Sequence, residues 1–358
     1  MKILQINSTK TFGGGERHFV DLCKGLQNKG HEVFVAIRPN CEWKEKVKIF
    51  SIIELPLKNS FDIASAIKLA KFIKTNEIEI VHAHAARDYT IASLAVRIAK
   101  RAKFILTRHV LFPIKSAFLL KNVSKVIAVS NAVEVELKKS FPTEKIVKIY
   151  NGINFEKFEK TDYEKHRREF RFENNIPFDA FLITTIGELK ELKGQQDFVL
   201  ASKIIAEKFP NAHFAIIGKD NSITKEFRSR LKRLVKVFDL EKRYLWLDWV
   251  EDTASLLHAT DIFVSASHTE SFGLAILEAI ASQTCVVATK TEGAKEFFDE
   301  KDLVEIGNQT QLAEKICEFL EYENKRLSFS KDSLTKAKVK FSLEKMIAET
   351  EQIYLKSH

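Results

Sequence analysis

Ten short, apolar, β-prone runs recur along the chain, separated by longer amphipathic stretches. In the first half they are KILQIN from Lys2, VFVAI from Val33, IEIVHAH from Ile78, KFILTRH from Lys103 and KVIAVS from Lys125. In the second half they are FLITTIG from Phe181, HFAIIG from His213, YLWLDW from Tyr244, DIFVSAS from Asp261 and TCVVAT from Thr284. Runs of this kind read as strands buried on both faces, and their alternation with helical stretches reads as parallel sheets covered by helices, an α/β fold. A chain of 358 residues exceeds what one core usually supports. The series is interrupted after the turn Tyr150-Asn151-Gly152-Ile153-Asn154 by a charged stretch to about Asn175. Two doubly wound domains are therefore expected, divided within residues 151–178. A last amphipathic run from Ser342 to about Lys356 reads as a closing helix.

Charge is divided unevenly between those halves. Residues 1–150 hold 26 Lys and Arg against 13 Asp and Glu, a net of +13, while the remainder holds 31 against 35, a net of −4. The basic half is suited to an anionic partner, whether nucleic acid, anionic lipid or a phosphorylated substrate. Cys23, Cys41, Cys285 and Cys317 are scattered without a C-x-x-C pair, so neither a zinc site nor a disulfide framework is expected and a reducing cytoplasm fits best. MKILQIN is a strand pattern rather than a signal peptide, and no run approaches membrane-spanning length. The expected location is cytoplasmic, soluble or peripheral at the inner face of a membrane.

In open α/β sheets, ligands bind beyond the carboxyl ends of strands, so chemistry is sought just after each run. After the first comes TFGGGERHF, whose glycines permit close backbone approach to a phosphate or a sugar, or simply a flexible turn into a helix. A dinucleotide fingerprint would need glycine where His18 stands, and a P-loop would need Gly-Lys-Ser/Thr, so neither fits. IEIVHAH ends with His82 and His84, two apart and on one face of a strand. They make a metal pair only with a third ligand, and no third of suitable spacing is visible, so hydrogen-bonded histidines are expected and no metal. His84, nearer the carboxyl edge, is the better functional candidate; Arg87 and His109 are candidates on the acceptor side. After FLITTIG, Lys193 before Gly194 could meet a phosphate as a point charge or be a solvated loop lysine.

The segment HTESFGLAILEA, His268 to Ala279, follows the strand run DIFVSAS with a Ser-Phe-Gly turn and a helix. Such a junction aims free N–H groups and the positive helix end at one point, which suits an anion. Glu270 falls in the turn and Glu278 about one turn into the helix. Their separation suits different parts of one ligand and not a shared proton. As purely structural residues, Glu278 would favour the helix dipole and Glu270 would cap the turn. Placed after strands of two facing domains, these groups, the glycine loop, His84 and Lys193 can line a single cleft.

The order of these motifs resembles that of the family-4 retaining glycosyltransferases, over nearly the whole chain. The E-x7-E pattern of Glu270 and Glu278 is its most specific element, accompanied by FGG, VHAH, the NGI turn and Lys193-Gly194. The resemblance implies the GT-B architecture, two facing Rossmann-like doubly wound domains with a C-terminal helix crossing back to the first. It divides the chain into an acceptor-side domain at 1–160, a donor-binding domain at 161–340 and the returning helix at 341–358. It implies that Lys193 and the N–H groups around Ser271, Phe272, Gly273 and Leu274 hold the diphosphate of a nucleotide-sugar donor, and that Glu278 holds its ribose. Glu270 and His84 would contact the transferred sugar, with Gly14 and Gly15 allowing close approach. Transfer would retain anomeric configuration and need no metal or other cofactor. Where the family has an arginine five positions before the lysine, this chain has Glu188. The acceptor expected is a cell-envelope glycan or lipid-linked saccharide, with an anionic membrane surface as a further partner and no nucleic acid. The competing readings are a nucleotide-sugar epimerase of related fold, which would isomerise donor without an acceptor, and a non-enzymatic basic binding protein, which would leave both glutamates without a role.

Overall fold

The computed structural model describes residues 1–115, 117–159 and 163–357. Twelve strands are seen among them: β1 Lys2–Asn7, β2 Glu32–Ile37, β3 Ser51–Glu54, β4 Ile80–Ala83, β5 Lys103–Arg108, β6 Val123–Ala128, β7 Ile146–Lys148, β8 Phe181–Ile186, β9 Ala212–Ile217, β10 Tyr244–Leu247, β11 Ile262–Ser265 and β12 Cys285–Ala288. They form two sheets, ordered β3-β2-β1-β4-β5-β6-β7 and β10-β9-β8-β11-β12, and every pairing is parallel. In each the strand order reverses beside its first strand, at β1/β4 and at β8/β11. This is the doubly wound arrangement expected from the alternating runs.

The chain divides into two compact units, Met1–Gly152 with Phe341–His358, and Ile153–Lys340. The division falls at Gly152/Ile153; the expected boundary at 160/161 lies outside the described residues. In the first unit, Ile3, Ile80, Ile105 and Ile127 of the sheet are covered by Phe19, Leu22, Cys23 and Leu26 of helix Gly14–Asn28 and by Met346, Ile347 and Tyr354 of helix Leu343–Ser357. The closing helix thus completes the core begun by the first strand. Gly152 of the NGI turn allows its arrival: a Cβ there would stand 2.3 Å from the Ser342 carbonyl oxygen.

In the second unit, Ile183, Phe214, Ile216, Ile262, Val264 and Val287 pack with Phe198, Leu312, Ile316 and Phe319 on one face of the sheet. Leu182, Ala215 and Ile217 pack with Leu256, Ala259 and Phe170 on the other. The charged stretch read as an interruption contains helix Tyr163–Glu173, part of this unit. Its composition hides a buried anchor. Arg171 is wholly buried, pairs with Asp261 at 2.9 Å, and donates to the carbonyls of Pro177, Phe178, Ala180 and Ala259 at 2.7–3.1 Å. Arg167 binds the other oxygen of Asp261 at 2.9 Å. All four cysteines are buried free thiols.

Candidate functional site

At the switch point of the second sheet, the loops after β8 and β11 meet. Gly194 has φ +65°, and a Cβ on it would lie 1.8 Å from the carbonyl oxygen of Ala266, so only glycine lets the first loop pass against the second. The backbone N–H of His268 donates to the Leu192 carbonyl at 2.9 Å, and the His268 ring meets Asp197 at 2.6 Å. These contacts bring Lys193 to Glu270: Nζ lies 2.5 Å from Oε2, and both side chains are only partly exposed. The cation expected on phosphate and the carboxylate expected on sugar are thus joined. Lys190, near the position where the family has an arginine, pairs with Glu188 at 2.5 Å, and both side chains are exposed. Burial raises the Glu188 carboxyl, but bonds from Lys190 and Asn221 outweigh that and hold it below its usual range.

Helix Leu274–Ala281 starts where the sequence placed it, after Gly273 at φ +98°. Ser271 and Leu274 are half-buried, whereas Phe272 is buried and its ring packs edge-on against Phe297 at 5.2 Å. Glu278 is 5% exposed on a helix of otherwise apolar residues. Sequence reading missed Gly293, whose N–H donates to the Glu270 carbonyl at 2.9 Å and whose missing Cβ leaves room for the Phe272 backbone. Its signal was a glycine shortly after β12, another strand end.

The first unit has its own switch-point cluster. Gly13 is the N-cap and Gly14 the first residue of helix Gly14–Asn28; beside Gly15 a Cβ would meet nothing within 4 Å, leaving room for a ligand. Glu16 ties this helix start to the end of β1 and the loop after it, accepting from Asn7 Nδ2 at 3.4 Å and from Thr9 Oγ1 at 2.6 Å. His84 stands just past β4, buried, with Nε2 2.8 Å from Gln5 Oε1. Gln5 Nε2 donates to the Tyr354 hydroxyl at 3.0 Å, and that hydroxyl lies 2.5 Å from His82 Nδ1. His82 Nε2 reaches Thr107 Oγ1 at 2.8 Å, so His82 is fully hydrogen-bonded in the core, as expected. His109, just past β5, stacks on His84 at 5.7 Å between centroids and lies edge-on to His18 at 4.8 Å. The structure thus brings His84 and His109 together, while Arg87 is the residue before helix Asp88–Ala99, makes no side-chain capping bond there, and is half-buried.

His18, Gln5 and Tyr354 were not identified from sequence; the polar Gln5 inside an apolar strand was the available signal. Burial lowers His18 to about 4, against an opposing bond from Asn151, and lowers His82, His84 and His109 well below the usual imidazole range. Asp88, wholly buried with one oxygen accepting the Ser8 N–H at 2.8 Å, is pushed up to about 6 by desolvation.

Residues 12–157 match the family described as Glycosyltransferase Family 4, and residues 166–335 match Glycosyl transferases group 1. The chain is 27% identical to the N-acetyl-alpha-D-glucosaminyl L-malate synthase of Bacillus anthracis, over 96% of this chain and 93% of that one. It is also 27% identical to the UDP-Gal:alpha-D-GlcNAc-diphosphoundecaprenol alpha-1,3-galactosyltransferase of Escherichia coli, over 63% and 62%. Its fold matches that of Anabaena Alr3699/HepE, crystallised with UDP and glucose, at a TM-score of 0.88 and 21% identity over the whole of both chains. With two parallel doubly wound sheets of the GT-B kind and both halves matched in order, the chain belongs to the family-4, group 1 glycosyltransferases.

Proposed function

We propose that this glycosyltransferase moves a sugar from a nucleoside-diphosphate donor to a cell-envelope acceptor, retaining anomeric configuration and using no metal. The observation that carries this reading is the Lys193–Glu270 pair beside the start of helix Leu274–Ala281. Lys193 and the N–H groups of Ser271 to Leu274 neutralise the diphosphate as it leaves, the work a divalent ion would otherwise do. Glu278 accepts from ribose hydroxyls. Glu270 holds the transferred sugar and stabilises positive charge at its anomeric carbon. The acceptor attacks the face that the diphosphate vacates, which retains configuration. His84, Gly14 and Gly15 are sugar contacts, and Arg87 and His109 belong to the acceptor side.

Calorimetry with UDP, GDP, ADP and their sugars tests the donor. One nucleotide should bind together with its sugar conjugate. Glu278→Ala and Lys193→Ala should each weaken the two by similar amounts, roughly 1 to 3 kcal/mol for a lost charged hydrogen bond. If no nucleotide binds, or both variants bind like wild type, the donor reading fails. Turnover by chelator-stripped protein measures metal independence.

The acceptor is held at a membrane, as the diphosphoundecaprenol in the name of the E. coli relative supports. Among the described residues no helix is long and apolar enough to cross a membrane. The segment Arg108–Lys125 leaves the end of β5 and enters β6 after a short turn at Ala117–Leu120, and Ser116 lies outside the described residues. It carries Phe112 and Phe118, 65% and 68% exposed, among Lys115, Lys121 and Lys125, which is the composition of an interfacial patch. The chain should float with anionic vesicles at low salt and not with neutral ones. Indifference to anionic lipid, or unchanged flotation after replacing the three lysines, removes the peripheral-membrane reading.

A further inference from the structure

His18, His84 and His109 come from three separate stretches of chain, yet one ring nitrogen from each lies within 4.8 Å of the others. The hydrogen bonds fix which nitrogen His84 offers. Gln5 gives its amide N–H to Tyr354, so its Oε1 faces His84 and can only accept. His84 Nε2 therefore carries the proton, and the lone pair at Nδ1 faces the cluster. That Nδ1 stands 3.4 Å from His109 Nε2. Two imidazole nitrogens on one tetrahedral zinc, each at about 2.0–2.1 Å, are separated by about 3.4 Å.

His18 supplies an independent sign. It is 5% exposed, and neither of its ring nitrogens makes a hydrogen bond of ordinary geometry. A buried imidazole whose ring nitrogens make no hydrogen bond of ordinary geometry, beside two converging ones, is unusual in a core, where polar atoms are otherwise satisfied. The carboxamide of Gln5 behind His84 matches the outer-shell partner that orients a metal-bound histidine. His109 is the most exposed of the three, only partly buried where His18 and His84 are buried.

We propose that His18, His84 and His109 form a binding site for a borderline divalent transition metal such as zinc, and that its occupancy inhibits glycosyl transfer by withdrawing His84 from the sugar. The ion is not a cofactor here. Three neutral imidazoles without a carboxylate select zinc, cobalt or nickel over magnesium, calcium or manganese. The inhibition rests on the role proposed for His84; the binding does not.

The probe is Co²⁺, added to full-length chain that carries no polyhistidine tag and has been stripped with EDTA. A visible d–d band of tetrahedral type should appear and saturate at one ion per chain, and Zn²⁺ should abolish it. His18→Gln and, separately, the more exposed His109→Asn should weaken Co²⁺ binding at least tenfold, with thermal melting showing that each variant is folded. Zn²⁺ should lower wild-type transfer, and at least tenfold more should be needed in His18→Gln, each protein being compared with its own stripped form. Absence of the band, or binding that both variants leave unchanged, overturns the site. Stoichiometric binding that both variants weaken, with full transfer in the zinc-loaded protein, upholds the site but overturns the inhibition and the role of His84 with it.

Discussion

Glu270→Gln should lower turnover by about two orders of magnitude while leaving affinity for the free nucleotide intact or slightly improved. Removing one preorganised electrostatic group from a transition state costs on the order of a hundredfold or more in rate. The ion pair sets the sign on the binding side. Lys193 is held at 2.5 Å by Glu270 in the free protein, so a diphosphate has to draw the ammonium away from that carboxylate. The glutamine variant keeps the shape and releases the lysine. Lys193→Ala does the reverse, weakening the nucleotide and leaving Glu270 without its counter-charge. Calorimetry with the nucleotide beside steady-state kinetics separates the two effects. Full turnover in Glu270→Gln, or a nucleotide-binding loss as large as that of Glu278→Ala, would overturn the division of roles.

Arg171→Met should destabilise the second unit by roughly 3–5 kcal/mol, the usual cost of removing one partner from a buried ion pair. Methionine fills part of the volume but returns none of the donors. The carbonyls of Pro177, Phe178 and Ala180 lose their guanidinium bonds, and Ala259 keeps only Arg167, at 3.1 Å. Asp261 keeps Arg167 and the Leu182 N–H, so the damage should be concentrated around helix Tyr163–Glu173 and not unfold the carboxylate site outright. Urea unfolding followed by hydrogen exchange in that helix would show it. A loss below about 1 kcal/mol would mean that Arg171 is dispensable for the fold.

The central strands were legible because they are buried on both faces and so read as unbroken apolar runs. The short strands Ser51–Glu54 and Ile146–Lys148 were not identified: both lie at sheet edges, where partial exposure relaxes the pattern. Of the candidate site, residues at strand ends could be placed because a doubly wound sheet puts every strand's carboxyl end on one side. What could not be read was which side chains touch. Position 18 was considered only as a place where a glycine was missing, and Tyr354 only as part of an amphipathic helix. Both matter through contacts across long stretches of chain, and periodicity carries no record of those. Arg171 was lost for a related reason, since a composition rich in charge looks the same whether one guanidinium is solvated or enclosed by carbonyls.

The hydrogen bond between Gln5 and Tyr354 spans 349 positions of sequence, and that separation bears on how the molecule is made. Domains generally fold in order as they leave the ribosome, the amino-terminal one first. Here the earliest strand waits for the latest helix. Ile153–Lys340 is continuous and can close as soon as it has emerged, whereas Met1–Gly152 has its sheet but lacks the helix that covers part of one face. At roughly 5–20 residues per second, translation of the inserted unit imposes a delay on the order of ten to forty seconds. Throughout it, an apolar surface beside Phe19 and Leu26 is open to whatever meets it. The second-made half would be native before the first, and a ribosome stalled before Leu343 would hold a nascent chain with one finished unit and one still adhesive.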